Sequence, residues 1–168
     1  MFADPYDGKS PKISELTFFY HSSSPTPSEN DLKQVIFTQS IPKLEDTAES
    51  ITWSALDLKG ERQEKGEKKA AKVEINVYYD EDQHKELKTL ADNDTDEYWF
   101  VKYPESTAKT TGKPLVKRFI ASCDLVGDEI PLKDFIKDVI ALYRKSAIEE
   151  FYGMPTATSG TTSTSSRS

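Results

Sequence analysis

Asp92, Asp94 and Asp96 stand at alternate positions, and their spacing comes closest to that of a chemical site. Alternate carboxylates open the twelve-residue loop that wraps calcium in oxygen ligands. Such a loop needs glycine at its sixth position and a bidentate glutamate at its twelfth; here those positions hold Glu97 and Tyr103. The spacing predicts an acidic turn and no metal. His21 borders a loop of serines and prolines, and His84 stands among charged residues. Neither has a neighbour that would complete a set of nucleophile, base and orienting group, so both are expected to be solvated. Cys123 is the single cysteine, which excludes an internal disulfide and a cysteine-built metal centre. It lies in an apolar run and reads as a small buried hydrophobe. The seven glycines are scattered and form no phosphate cradle. Trp99 falls in a strand-like run and is expected in the core, whereas Trp53 is a candidate interface anchor. No catalytic set assembles. The expectation is a protein that is not an enzyme, with no catalytic residue, metal or cofactor.

The elements that hold these residues belong to a chain of 168 residues, about one domain in length. It is 36% apolar and 30% charged, with mean hydropathy -0.65. Eight Tyr, eight Phe and two Trp are too many aromatics for a disordered chain. No apolar run approaches the roughly 20 residues that span a bilayer. The polar start, Met1 to Ser10, lacks the apolar stretch of a secretory signal, so no membrane insertion and no export signal are expected. A net charge of -7 argues against a dedicated DNA-binding surface, which needs clustered Lys and Arg.

Residues 1–12 are polar and turn-rich and read as an arm. Residues 13–20 (Ile-Ser-Glu-Leu-Thr-Phe-Phe-Tyr) read as a strand, 21–30 as a loop, and 35–41 as a second strand that makes a hairpin with the first. Residues 43–72 read as a long loop, functional or disordered until bound, with one apolar island at Ile51, Trp53 and Leu56. Gly60 and Gly66 argue against a helix there. Residues 73–79 alternate with period two, a half-buried strand. Residues 80–91 place acids in the first turn and Leu87, Leu90 and Ala91 on one face, a short amphipathic helix. Strands are expected at 98–103 and 115–126, the latter closed by Gly127. Residues 135–143 fit helical and strand spacing equally. From Met154 on, ten of fifteen residues are Ser or Thr, so 154–168 is expected to be a disordered tail.

Charge is divided unevenly. Lys59 to Lys72 carries six basic residues against three acids, and Asp80 to Glu97 eight acids against two lysines. Two readings stand. The charges are solvated surface, or a basic arm (Lys59, Arg62, Lys65, Lys68, Lys69) meets an acidic face (Asp80, Glu81, Asp82, Asp92, Asp94, Asp96, Glu97) on the next copy. Such complementarity steers association and fixes register, and head-to-tail contacts close into rings or run on as filaments.

The order of parts resembles the major tail (tail tube) proteins of long-tailed bacteriophages, especially those of Gram-positive hosts. The matching features run from Ile51-Thr-Trp-Ser-Ala-Leu-Asp57 through Gln63 to Lys69 and the strand at 73–79. Asp82-Gln-His-Lys-Glu-Leu, the strand ending at Tyr103-Pro104, Phe119-Ile-Ala-Ser-Cys123, Gly127 to Leu132 and Gly153-Met-Pro155 follow in the same order. The resemblance spans about Ile13 to Pro155. It implies a mainly β fold with one helix, two antiparallel sheets forming a sandwich or barrel over 13–153, and residues 135–143 as the last strand. It implies hexameric rings stacked into a tube for genome ejection, with 43–72 bridging subunits. The implied partners are further copies of the chain, a tape measure protein, a tail terminator and a distal tail protein, with DNA passing and not bound. The place would be the virion, after assembly in the host cytoplasm. An acidic lumen would repel phosphates and let the genome slide. Two other readings are a stand-alone β-sandwich decoration or receptor-binding module, gripping its ligand through Trp53 or exposed tyrosines, and the tube protein of a bacterial contractile secretion system.

Overall fold

Alternation over residues 73–78 becomes a strand with Val73, Ile75 and Val77 fully buried and Glu74 and Asn76 exposed. Similar runs supply the rest of the fold. A computed structural model describes residues 15–156 apart from 46, 58, 70–72 and 109–111. The expected arm over 1–12 and residues 157–168 of the expected tail lie outside the described residues. The strands in chain order are β1 (Phe18–Ser22), β2 (Lys33–Gln34), β3 (Thr38–Ser40), β4 (Thr47–Trp53), β5 (Arg62–Lys69), β6 (Val73–Tyr78), β7 (Asp96–Lys102), β8 (Leu115–Glu129), β9 (Lys137–Arg144) and β10 (Glu149–Tyr152). Among the described residues one α-helix, α1 (Glu81–Asp92), lies between β6 and β7. The main sheet runs β2-β1-β7-β8-β9-β6-β3 with β10 also on β8, and β4 and β5 form a separate ribbon. Every pairing is antiparallel. The fold is mainly β with one α-helix and two antiparallel sheets, of the sandwich or half-barrel kind.

Of the strand expected over 35–41 only Thr38–Ser40 (β3) forms; β2 (Lys33–Gln34) precedes that span, and the two lie on opposite edges of the sheet. Only residues 35–37 separate Gln34 from Thr38. Four chain steps reach at most roughly 14 Å, so the sheet curls until its two edges approach. Phe37 turns the corner at φ 59, and Thr38 Oγ1 donates to Val35 O at 3.0 Å. The first strand also starts late, because Leu16 at φ 64 holds the chain in a turn before Phe18.

The core lies on the sheet face that α1 covers. Trp99 stacks on Phe19 at 5.4 Å and its Nε1 donates to Ala121 O at 3.1 Å. Leu87 packs there as the buried residue of α1, and Cys123 beneath it is buried. Asp80 caps the helix, accepting from Gln83 N at 3.1 Å. Gln83 in turn bonds both backbone groups of Ile36, at 2.8 and 3.2 Å, and ties the helix start to the corner.

β8 does not stop at Gly127. The register against β9 slips between Leu125 and Gly127, and Gly127 sits at φ 124. A bulge here lets the strand bend and continue to Glu129. A side chain at this backbone angle is strained even though an added Cβ would meet nothing within 4 Å. Gly127→Ala is therefore expected to destabilise the fold by about 1–3 kcal/mol, read by denaturant unfolding.

Residues 137–144 form a strand because β6 and β8 pair with them on both sides. β9 is not the last strand, contrary to what the resemblance implies. Lys145 N donates to Ile120 O and Ser146 Oγ accepts from Ile120 N, each at 2.8 Å. These bonds carry the chain along the same edge of β8 into β10.

Candidate assembly surfaces

Within the stretch 43–72, where a loop was expected, β4 and β5 pair as a β-ribbon. Leu44 is buried at its root, and Glu45 is ion-paired to Lys117 on β8. That hydrogen bond holds the Glu45 carboxyl below its ordinary value. Beyond the root, none of the ribbon side chains described in β4 and β5 is buried. Ile51, Trp53 and Leu56 are 53%, 42% and 110% exposed. A two-stranded hairpin standing by itself is marginal in water.

The register sorts the expected site residues. Trp53 pairs with Arg62 and Ile51 with Glu64, so these four share one face. Ser50 pairs with Lys65 on the other face. The register then slips, and Lys68 and Lys69 pair with Ala48 and Thr47. Leu56 and Lys59 belong to the tip, where Gly60 turns the chain at φ 100. The expected arm is thus one apolar strip flanked by charge, with its lysines spread over the ribbon.

The residues of the expected acidic face lie at both ends of α1, in the turn after it and on β7. Asp80, Glu81 and Asp82 sit at the start of α1, with Asp80 engaged as its cap and Glu81 ion-paired to Lys85 at 2.9 Å. Asp92 ends the helix, about 18 Å away at 1.5 Å per residue. Asp94 turns the chain at φ 48, and Asp96 is paired with Lys145 at 2.7 Å. Glu97 is buried, because β7 alternation turns it inward beside Trp99 and Val101.

Both histidines are held by the fold, where solvation was expected. His21 lies within β1, buried against Trp99 at 5.1 Å, with Nε2 3.7 Å from Glu86. Burial, acting against the Glu86 charge, lowers its pKa. His84 Nδ1 lies 3.0 Å from a carboxylate oxygen of Asp138, which is buried in β9. Cys123 is the buried hydrophobe expected; burial pushes its thiol up to about 11, far from a nucleophilic thiolate.

Burial also raises the pKa of Glu97, with Lys33 opposing and Glu86 adding to the rise. The folded state therefore holds the proton more tightly than the unfolded chain. Its effect on stability is unfavourable above the folded pKa and vanishes below the unfolded value of about 4.3. Glu97→Gln is expected to raise the melting temperature at pH 7, with the gain shrinking toward pH 4. A gain that persisted unchanged at pH 4 would show that charge is not its cause.

A second surface was not legible in the sequence. Tyr78 N donates to Phe37 O at 3.1 Å, Tyr79 N donates to Ile136 O at 2.9 Å, and Phe135 lies 5.3 Å from the Tyr78 ring. These bonds gather the corner, the end of β6 and the β8–β9 connection into one apolar cap. Phe37 and Phe135 on it are 56% and 69% exposed, and Ile130 and Leu132, earlier in the same connection, are 74% and 91% exposed. The only sequence signal of that connection was three bulky apolar residues in a short segment with Pro131 and Asp134.

Among the described residues no helix is long and apolar enough to cross a membrane. Comparison with protein-family models and with curated proteins found no match. In fold the chain is similar to a chain in the cryo-EM structure of the anti-feeding prophage (AFP) baseplate, six-fold symmetrised. The TM-score is 0.57 at 8% identity, over 87% of this chain and 98% of that one. At that identity the likeness is one of fold.

Proposed function

We propose that this chain is a structural subunit of a phage-tail-like assembly, and within it a tube-forming subunit that stacks as hexameric rings. The role is mechanical and not catalytic. The observation that carries the reading is the β4–β5 ribbon, which presents Ile51 and Trp53 to solvent while the core closes without them. A strip of this kind gains most by docking on another chain, since interface energy concentrates in buried aromatic anchors. The fold shared with a chain of a six-fold symmetrised tail-like baseplate supports the wider class. The order of sequence features supports the tube, the virion as its place, and the tail partners named above.

Electron microscopy of the purified full chain at high concentration tests this. Rings of six-fold symmetry, stacked into tubes, are the expected result. Monodisperse monomer at every concentration would overturn self-assembly and favour a stand-alone module.

A further inference from the structure

We propose that His21, Lys33, Glu86 and Glu97 form an acid-sensitive clasp, in which a proton taken up by His21 loosens α1 and the β2 edge from the sheet. Such a device works within the single subunit, whatever its copies do.

Strand pairing brings these groups together from four elements. His21 on β1 stands opposite Lys33 on β2 and opposite Trp99 on β7, so the three form one row across the sheet. Glu97 lies two residues from Trp99 on the same face, and both are buried. Glu86 reaches down from α1, with one carboxylate oxygen 2.6 Å from Lys33 Nζ and 3.7 Å from His21 Nε2. The groups facing His21 are thus Lys33 from β2, Glu86 from α1 and Glu97 from β7. Further along the same face lies Cys123 of β8, beneath Leu87.

The cluster suits an uncharged imidazole. His21 is buried, its Nδ1 has no hydrogen-bond partner, and 3.7 Å is too long for a hydrogen bond at Nε2. Glu86 already balances Lys33. A proton on His21 would set a second cation beside Lys33, with one carboxylate shared between the two. Glu97 gives little relief, because its Oε2 is buried without a partner and burial favours its neutral form. Burial of His21 outweighs the pull of Glu86 and holds its pKa below the ordinary 6.5, and Lys33 pushes the same way.

The attachments at stake are few. Two residue pairs hold β2 to β1, and the ion pair of Lys33 with Glu86 ties β2 to the middle of α1. Opening hydrates His21 and restores its ordinary proton affinity. The closed form has the lower pKa, so acid favours the open form. The effect is absent well above 6.5 and grows as pH falls below it, until the pKa of the closed form is passed. Glu97 has the opposite sign. Its pKa is raised in the closed form, so its protonation favours closure and blunts the response at the acid end.

Cys123 reports the opening, since it is the single cysteine and lies under α1 with Sγ 3.8 Å from Leu87 O. The full chain is labelled with dithiodipyridine, which exchanges its disulfide with the thiol and expels pyridinethione. Dividing the rate for the urea-unfolded chain at each pH by the native rate gives the protection and removes the titration of the thiol itself. Protection is expected to be level above about pH 7 and to fall below 6.5 by up to about tenfold per pH unit, the limit for one proton. In Glu97→Gln the fall should be at least as steep, and in His21→Phe it should vanish. Labelling rates unchanged by low urea mark a local opening. Where His21→Phe does not fold, the ring nitrogen shifts of His21 in wild-type protein decide: they should titrate below 6.5, in step with the loss of protection. Level protection down to about pH 5, an equal fall in His21→Phe, or ring shifts that titrate at or above 6.5 would overturn the clasp. So would labelling that follows global unfolding at every pH.

Discussion

The double variant Ile51→Ala with Trp53→Ala is expected to stay folded and lose assembly. Both side chains lie outside the core cluster, and surface changes usually fall within about 0.5 kcal/mol. For a chain of this size that is a shift of roughly 2 °C or less in melting temperature. Association behaves differently. A tryptophan anchor is worth about 2 kcal/mol or more, and the pair about 3–5, which weakens each contact by roughly a hundredfold to several thousandfold. The loss recurs at every contact in a ring or stack. Sedimentation velocity reads it as the disappearance of species heavier than monomer. Reversal of Lys65, Lys68 and Lys69 to Glu should do less. Exposed ion pairs are worth about 0–1 kcal/mol each, and the register puts Lys65 on the face away from Trp53. Its effect should fade as salt shortens the Debye length below about 8 Å. Normal assembly by the double variant would remove the ribbon from the interface.

The sequence made legible those elements whose burial is one-sided. β6 and α1 each show a single apolar face, with Val73, Ile75 and Val77 on one and Leu87, Leu90 and Ala91 on the other, and both form where expected. The ribbon escaped for the opposite reason. Arg62 to Lys69 alternates charges with no apolar side, so no period-two signal marks it as a strand. Its partner β4 is visible only as an apolar island. The break at Val35 to Phe37 escaped because propensity favours a strand there, and only the curl of the sheet puts β2 and β3 on opposite edges. The burial of His21, Glu97 and Asp138 also depends on pairing. Each sits on an inward position of a strand whose neighbours are far away in sequence. For the candidate site, the apolar members and Arg62 share a face as one would wish for docking, while the acidic partner set splits between the two ends of a helix.

The two tryptophans separate stability from assembly, and Trp99 carries the second large effect. It is fully buried, stacked on Phe19, in contact with His21 and hydrogen-bonded to Ala121 O. Trp99→Ala would open a cavity among β1, β7 and β8 and leave that carbonyl without its indole donor. Truncations of this kind cost about 3–5 kcal/mol, against total stabilities of about 5–15. The melting temperature should fall by roughly 10 °C or more. Trp99→Phe keeps most of the volume and the stack, so its smaller loss measures the indole bond and the residual gap. Fluorescence distinguishes the two residues in the native protein. With Trp53→Phe the remaining emission comes from buried Trp99 and should resist iodide quenching until the chain unfolds. With Trp99→Phe it comes from Trp53, open to quencher in the monomer and protected once the ribbon docks. Protection that failed to rise with concentration, in a sample shown to assemble, would place Trp53 outside the contact. A quenchable Trp99 in the folded protein would contradict the core described above.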